Sequence, residues 1–229
     1  MRHKTLAYCL AVAGLSWMVS GNAATIVAGP NSVYSLNVTS YKQLAFRNIV
    51  RQQYDFSCGS AALATLLKYH YKYPVNEKQV FSAMFEKGDQ NEIRRSGFSM
   101  GDMKRYLESL GMASDGYNVS LDDLAELGVP AIVLLNAGGY KHFVVITGIR
   151  QNSVLVSDPS IGAKIYPRGQ FEKMWGKIAM LTTAREDVGK KYFNRPRDWK
   201  IVAKAPLRTA IPDASLSTWS LMMRGPTDF

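Results

Sequence analysis

The chain has 229 residues, of which 47% are hydrophobic, so it holds enough apolar material for one sizeable core but hardly for two full domains. Charged residues make up 20% of the chain and are spread among apolar ones, which excludes wholesale disorder. Two cysteines exclude a disulfide scaffold and a four-cysteine metal site. The net charge of +10 indicates a solvated basic surface, or attraction to anionic lipids or an acidic partner. No dense basic block with interleaved aromatic residues indicates nucleic-acid binding.

The N-terminus, residues 1–24, has the three-part pattern of a secretory signal peptide. A basic start precedes an apolar run from Leu6 to Val19, and the small residues from Gly21 to Ala23 follow it. The alternative, a membrane anchor, needs about 20 apolar residues, and this run is shorter. We therefore predict that the signal is removed, that no transmembrane span remains, and that the protein is exported to the periplasm.

Helices dominate the first half of the chain. After an extended lead-in over residues 25–46, an Ala- and Leu-rich segment predicts a helix over 57–71. Three more helices begin at a residue that can cap a helix, with a second capping residue three positions further on. These helices are predicted over 76–88, 99–111 and 120–128, and each ends at a glycine.

The second half of the chain changes to strands. Continuous apolar runs predict buried strands, and two of them, 142–150 and 153–158, are separated by only two residues, as in a β-hairpin. The other strands are predicted over 130–136, 163–166 and 177–183, with a helical turn over 170–175. Helices followed by an antiparallel sheet predict an α+β domain over residues 47–183.

Residues 184–229 differ from the rest because they are basic and contain four of the nine prolines. This composition indicates an irregular appendage wrapped on the domain, or a partly ordered tail. Every candidate site residue lies upstream, so we expect that removal of the appendage leaves the site assembled.

Cys58 lies at the start of the first predicted helix and is the only cysteine that remains after signal removal. Unpaired backbone N–H groups and the positive end of the helix dipole favour a thiolate there. The small residues that follow, beginning with Gly59, leave room for a substrate backbone. The alternative is a buried structural cysteine. A nucleophilic cysteine also needs a nearby base.

Only two histidines remain in the mature chain, so the base can be sought by elimination. His70 lies twelve residues beyond Cys58 in the same predicted helix, roughly 18 Å away along its axis. We interpret His70 as a surface or partly packed residue. His142 begins a strand behind the turn Gly138–Gly139 and can face a cleft. It is the remaining candidate base, although a histidine in this position can also be purely structural.

Asp158 ends the strand that pairs with the His142 strand. The hairpin brings Asp158 close to residue 145, at the same end of the sheet as His142. Its carboxylate can hold the imidazole as in a Cys-His-Asp triad. The alternative is an Asx turn at Asp158–Pro159.

An oxyanion hole needs a further donor near the backbone N–H of Cys58. The side-chain amide of a glutamine can supply it, and both Gln52 and Gln53 precede Cys58 closely enough. At this point the two glutamines are equal candidates.

Together, Gln52, Cys58–Gly59, His142–Val145 and Asp158–Pro159 resemble the motifs of the C39 peptidases, the papain-like cysteine proteases of bacteriocin maturation. In that family a glutamine lies six residues before the cysteine and an aspartate sixteen residues after the histidine, and both spacings occur here. The resemblance covers residues 47–183 and implies a papain-like fold, in which a helical half packs on an antiparallel sheet.

The resemblance implies that Cys58 is the nucleophile, His142 the base, Asp158 the orienting residue and Gln52, rather than Gln53, the oxyanion donor. We expect no metal and no other cofactor. The expected substrate is a polypeptide, for which the resemblance suggests a secretion or amyloid-export system, and no nucleic acid.

The chain also departs from the better-known family members, which are domains of ABC transporters that cut leader peptides after a double glycine. It has no ATP-binding motif and is similar to stand-alone exported members, so double-glycine specificity is not carried over. Two alternatives remain open. One is acyl transfer to an amine, although the aromatic residue usual after a transglutaminase cysteine is absent. The other is a binding or chaperone module for exported polypeptides, in which the triad is idle.

Overall fold

The computed structural model describes residues 23–27, 33–37, 41–54 and 56–200. The chain separates into two units, Met1–Ser40 and Tyr41–Phe229. In the first unit, strands β1 (Ala23–Val27) and β2 (Val33–Asn37) pair as an antiparallel hairpin. The predicted signal peptide lies outside the described residues, apart from the two alanines that begin β1.

Helices form most of the first half of the second unit. They are α1 (Tyr41–Ala45), α2 (Cys58–Thr65), α3 (Glu77–Lys87), α4 (Gln90–Ser96), α5 (Met100–Ser109) and α6 (Leu121–Leu127). The predicted capping boxes at Asn76, Ser99 and Ser120 are confirmed, each with both of its reciprocal hydrogen bonds. Among the residues that the structure describes, none of the helices has the length and apolar character that crossing a bilayer requires.

The remaining strands form a six-stranded antiparallel sheet. They are β3 (Ser114–Asn118), β4 (Ala131–Ala137), β5 (Tyr140–Arg150), β6 (Ser153–Asp158), β7 (Gly162–Pro167) and β8 (Trp175–Thr182), with helix α7 (Arg168–Met174) between the last two. Their order across the sheet is β3-β8-β4-β5-β6-β7. Strands β4 to β7 follow one another as hairpins, and β8 returns to pair with β4. The predicted α+β class is confirmed.

Both faces of this sheet are buried. On one face, Ile132 and Val145 join a core cluster with residues of α2, α3 and α5. On the other face, their chain neighbours Val133 and Val144 join a second cluster with residues of α6 and α7. Because successive residues of a strand point to opposite faces, a sheet covered on both sides needs continuous apolar runs. This requirement explains why β4 and β5 are apolar along most of their length.

Three local features differ from the sequence-based expectation. The helix predicted over 57–71 is not uniform, because α2 is followed by a π-helical turn over Leu66–His70. No sequence signal above predicts helix α4 or strand β3. The polar sequence of β3 has little strand propensity of its own, and pairing with β8 holds it in place. The lead-in predicted as extended contains the helix α1.

The described part of the predicted appendage, residues 184–200, packs on the domain. It forms helices α8 (Glu186–Lys191) and α9 (Pro196–Trp199), and it buries Phe193 and Trp199. A bulge in β5 turns the carbonyl oxygen of Thr147 towards the backbone N–H of Asn194, which donates to it over 2.8 Å. The boundary at residue 183 stays a prediction, and residues 201–229 lie outside the described residues.

Candidate active site

Cys58 is the first residue of α2, and a tight loop fixes the entry to that helix. The carbonyl oxygen of Tyr54 accepts hydrogen bonds from the backbone N–H of Ser57 at 3.1 Å and from its hydroxyl at 3.0 Å. Helix α2 is buried along its whole length, and Cys58 is 8% exposed. The sulfur therefore lies at the positively polarised end of a buried helix, where a negative charge is stabilised.

Gly59 packs into the core and does not line an open approach to the sulfur. A Cβ at this position would lie 2.9 Å from Met103 Cε, 3.0 Å from Phe98 Cβ and 3.5 Å from Phe143 Cδ2. This differs from the expectation that Gly59 leaves room for a substrate. The missing side chain instead lets the start of α2 approach α5 and β5, and it brings Cys58 towards His142, the neighbour of Phe143.

His142 and Asp158 meet at the open end of the β5–β6 hairpin. His142 Nε2 donates a hydrogen bond to Asp158 Oδ1 over 2.8 Å, and the two residues are only 6% and 4% exposed. The bulge in β5 shifts the register by one residue, so that Ser157 rather than Asp158 lies opposite Val145. The hairpin thus brings the two side chains together as its spacing predicts, with Asp158 one residue closer to His142 than expected.

The bond to Asp158 fixes the protonation pattern of His142. Because Nε2 is the donor, Nδ1 is left for another partner, and it is buried without a hydrogen bond to any residue that the structure describes. Burial acts to lower the pKa of His142, but the hydrogen bond to Asp158 and the nearby Cys58 outweigh it and raise the pKa to about 9. Burial acts to raise the pKa of Asp158, and the bond from His142 outweighs it and lowers that pKa. This geometry holds a protonated imidazole beside the sulfur.

Asp158 also forms an Asx turn, the alternative to a catalytic role that the sequence leaves open. Its Oδ1 accepts hydrogen bonds from the backbone N–H of Ser160 at 2.8 Å and of Ile161 at 3.3 Å. The same oxygen accepts the bond from His142. The two interpretations of Asp158 are therefore compatible, because the turn presents the carboxylate to the imidazole.

Two residues that the sequence reasoning did not identify contact this pair. The hydroxyl of Ser160 donates to Asp158 Oδ1 over 2.7 Å, and a serine two positions after an aspartate is a signal for such a turn. The ring of Tyr140 stacks on the imidazole of His142, with 5.8 Å between centroids and 22° between planes. Tyr140 lies two residues before His142 on the same strand, and this spacing puts both side chains on one face.

Gln52 and Gln53 have different surroundings. The backbone N–H of Gln52 donates to the carbonyl oxygen of Pro159 at 3.0 Å, and its side-chain Nε2 donates to the carbonyl oxygen of Tyr54 at 3.3 Å. Gln52 Oε1 is buried and makes no hydrogen bond within the described part of the chain. Gln53 instead lines an aromatic groove, together with Tyr54, Phe56, Phe81 and Phe85.

His70 belongs to a separate buried cluster. It is 1% exposed, and its Nδ1 donates to the carbonyl oxygen of Tyr192 at 3.2 Å. Burial and, less strongly, the charge of Arg195 lower the pKa of His70 to about 3. The interpretation of His70 as a surface or partly packed residue is therefore wrong, because the segment after α8 covers it.

Comparisons with known proteins agree on one family. The model of the Peptidase C39 family matches residues 47–187. The chain is 42% identical to a protein of Pseudomonas fluorescens named "Probable functional amyloid protease FapD", over 78% of each chain. It is 44% identical to the protein of the same name from Pseudomonas aeruginosa, over 66% of each chain.

Two solved structures have the same fold. One is a double glycine motif protease from an AMS/PCAT transporter in complex with the leader peptide, with a TM-score of 0.50 and 24% identity, covering 58% of this chain and 89% of that one. The other is the peptidase domain of Streptococcus ComA, with a TM-score of 0.51 and 20% identity, covering 59% of this chain and 96% of that one. At this identity the likeness shows the fold, which is the predicted papain-like α+β fold.

Proposed function

Because this chain belongs to the peptidase C39 family and is a cysteine peptidase, we propose that Cys58, His142 and Asp158 form its catalytic triad. One observation carries this proposal: the 2.8 Å bond from His142 Nε2 to Asp158 Oδ1, which leaves Nδ1 for Cys58. Cys58 is the nucleophile, His142 is the general acid and base, and Asp158 orients the imidazole. We include Gln52 as the side-chain oxyanion donor.

In the first half of the reaction, the thiolate of Cys58 attacks the carbonyl carbon of the scissile peptide bond. The negative charge that develops on the carbonyl oxygen is held by the backbone N–H of Cys58 and the side-chain amide of Gln52. The Nδ1–H of the His142 imidazolium then protonates the leaving amine as the carbon–nitrogen bond breaks. A thioester between Cys58 and the acyl part of the substrate remains.

In the second half, water enters the site that the amine has left. Neutral His142 takes a proton from this water through Nδ1 while the oxygen attacks the thioester carbon. The bond to sulfur breaks and releases a carboxylic acid, and the Cys58 thiolate and His142 imidazolium are restored. Asp158 stays ionised throughout and stabilises the imidazolium, which agrees with its lowered pKa.

The substrate proposed here is a polypeptide of a functional-amyloid export system, cleaved in the periplasm after signal removal. The proposal rests on the name of the two FapD relatives, which describes them as probable functional amyloid proteases. Cleavage after a double glycine, named for one structural neighbour, is not extended to this chain, because that likeness shows only the fold.

The test compares the N-termini of exported polypeptides from cells that express the wild type or Cys58→Ala. We expect new N-termini, generated by cleavage, with the wild type alone, and the uncleaved polypeptide with Cys58→Ala. His142→Ala should give the same loss, whereas His70→Ala serves as the matched control and should retain cleavage. If Cys58→Ala generates the same N-termini as the wild type, the cleavage does not depend on this triad and the proposal fails.

A further inference from the structure

We propose that Ser160 is a further residue of the site, a positioning residue whose hydroxyl holds the Asp158 carboxylate in the orientation that receives the His142 N–H. This inference rests on the proposed function, because it assigns Ser160 a role that acts through His142 and Asp158.

The hydroxyl of Ser160 contacts both members of the buried pair. Its Oγ donates to Asp158 Oδ1 over 2.7 Å and lies 3.4 Å from His142 Nε2. Asp158 Oδ1 thus accepts hydrogen bonds from both the imidazole and the hydroxyl. A carboxylate held at one oxygen by several donors has less freedom to rotate about its Cβ–Cγ bond. The hydroxyl therefore restricts the carboxylate to the orientation in which His142 keeps its Nδ1 towards Cys58.

Ser160 is also the exposed member of this group. Asp158 and His142 are 4% and 6% exposed, whereas Ser160 is exposed to solvent. Since the Ser160 side chain fills no core space, its loss removes a polar contact and little packing.

The backbone of the turn is held by contacts that do not use the Ser160 side chain. The carbonyl oxygen of Pro159 accepts the 3.0 Å bond from the backbone N–H of Gln52. Gly162 ends the turn with a φ of +93°, and a Cβ there would lie 2.8 Å from Ala45 Cβ. The backbone N–H of Ser160 remains available in any variant except proline. Ser160→Ala therefore deletes the hydroxyl and leaves the turn in place.

The experiment measures the rate at which iodoacetamide alkylates Cys58, across a range of pH, because this probe requires no knowledge of the substrate. We expect Ser160→Ala to slow alkylation at neutral pH by about threefold to tenfold, less than the full effect of a hydrogen bond to a charged group, because the hydroxyl acts on Cys58 only through Asp158 and His142. Ser160→Thr keeps the hydroxyl and should restore the wild-type rate. Ser109→Ala is the matched control, since this exposed serine donates to the carbonyl oxygen of Tyr106 at 2.7 Å and should alkylate as the wild type.

A double-mutant cycle separates positioning from a general structural effect. If the hydroxyl acts through the carboxylate, Ser160→Ala should have no further effect in an Asp158→Ala background. Full additivity of the two substitutions, or a wild-type rate and pH profile for Ser160→Ala, would overturn the inference. Failure of the proposed function gives a different result. In that case iodoacetamide would alkylate Cys58 at the wild-type rate in Asp158→Ala and in His142→Ala as well. Circular dichroism of each variant excludes unfolding as the cause of a slow rate.

Discussion

The backbone N–H of Gln52 donates a 3.0 Å hydrogen bond to the carbonyl oxygen of Pro159, the residue that follows Asp158. This bond joins the segment before Cys58 to the turn after Asp158, two segments far apart in sequence. It also distinguishes the two adjacent glutamines, because Gln53 lies in the aromatic groove. The backbone of Gln52 is therefore anchored to the turn that follows Asp158, and its side-chain Nε2 donates to the carbonyl oxygen of Tyr54.

We predict that Gln52→Ala lowers kcat by roughly 10²–10³, the usual effect of losing one oxyanion donor. KM should change far less, because the lost hydrogen bond is strongest in the transition state. The measurement is steady-state cleavage of the polypeptide identified by the N-terminal comparison above.

Gln53→Ala is the matched control for Gln52→Ala, because it removes the same side chain one position away. It should lower kcat little, since Gln53 is exposed and lines the aromatic groove. If Gln53→Ala lowered kcat strongly while Gln52→Ala left it unchanged, Gln53 rather than Gln52 would be the oxyanion donor. If both variants cleave normally, other groups form the oxyanion hole.

The stability contributed by His142 should depend on pH in a defined window. Its pKa of about 9 in the folded protein exceeds the ordinary histidine value of about 6.5. The stabilisation is thus fully present below about pH 6.5 and is lost as the pH rises through about 9. We expect the free energy of unfolding of the wild type to fall relative to that of His142→Gln across this window, as measured by urea denaturation.

The titration of His142 should also limit the rate of cleavage at alkaline pH. Cleavage should decline on the alkaline side as the imidazolium that protonates the leaving amine is lost. In Asp158→Asn the decline should begin at lower pH, because the carboxylate that raises the pKa of His142 is gone. An alkaline limb that is unchanged in Asp158→Asn would argue against this coupling.

The stability contributed by His70 should depend on pH in the opposite direction. Its pKa is lowered to about 3 by burial and Arg195, so its contribution to stability is complete above about pH 6.5 and is lost as the pH falls towards about 3. His70→Ala should lower the free energy of unfolding at neutral pH by about 1–3 kcal/mol, because the carbonyl oxygen of Tyr192 loses its donor. Alkylation of Cys58 should keep its wild-type rate. A loss of alkylation equal to that of His142→Ala, in folded protein, would mean that the base is misassigned.

Much of the fold follows from local sequence signals. The capping boxes at Asn76, Ser99 and Ser120 combine a start residue with a reciprocal partner three positions on, so they define helix starts without tertiary information. The two-residue turn between β5 and β6 fixes a hairpin, and the hairpin brings His142 to Asp158. The sequence therefore predicts that two functional residues lie close together where one short turn joins their strands.

Other features depend on contacts between distant segments, which no local pattern records. Strand β3 exists because β8 pairs with it, and the exposure of His70 is set by the segment around Tyr192. The bulge at Thr147 needs Asn194 as the donor for its carbonyl oxygen. The contact of Ser160 with His142 and Asp158 is likewise not predictable from the sequence, since a serine after Asp-Pro is more often only part of a turn.

Two truncations test which part of residues 184–229 the fold requires. A chain that ends at residue 183 lacks Phe193 and Trp199, which are buried on the domain, and we expect it to be insoluble or unfolded. Each lost aromatic side chain is worth roughly 3–5 kcal/mol, so their sum approaches the total stability of a typical domain. This reverses the expectation from sequence alone that the site survives such a truncation.

A chain that ends at residue 200 keeps both side chains and should fold. Thermal unfolding of the two truncations is the measurement, and a folded chain ending at 183 with alkylatable Cys58 would show that α8 and α9 are dispensable.

Gly59→Ala tests whether the close approach of α2 positions the nucleophile. The new Cβ would lie 2.9 Å from Met103 Cε, the flexible end of a side chain, and 3.0 Å from Phe98 Cβ, which cannot rotate away from its own backbone. The start of α2 must therefore shift, and Cys58 shifts with it. We expect a loss of roughly 1–3 kcal/mol in the free energy of unfolding, as in other overpacked cores. Cleavage should fall further than this loss explains, because a displacement of about 1 Å in a reacting group can cost about 10²-fold in rate.

Gly169→Ala provides the matched control for Gly59→Ala. Gly169 lies in helix α7, and a Cβ there would meet no described atom within 4 Å. Alanine is the better helix former by roughly 1 kcal/mol, so this variant should be as stable as the wild type or slightly more stable, with unchanged cleavage. Urea denaturation and kcat of both variants are the measurements. If Gly59→Ala is destabilised but cleaves normally, the close packing at Gly59 stabilises the fold without positioning Cys58. If Gly59→Ala matches Gly169→Ala in both stability and cleavage, the core around Phe98 accommodates the added methyl group without moving Cys58.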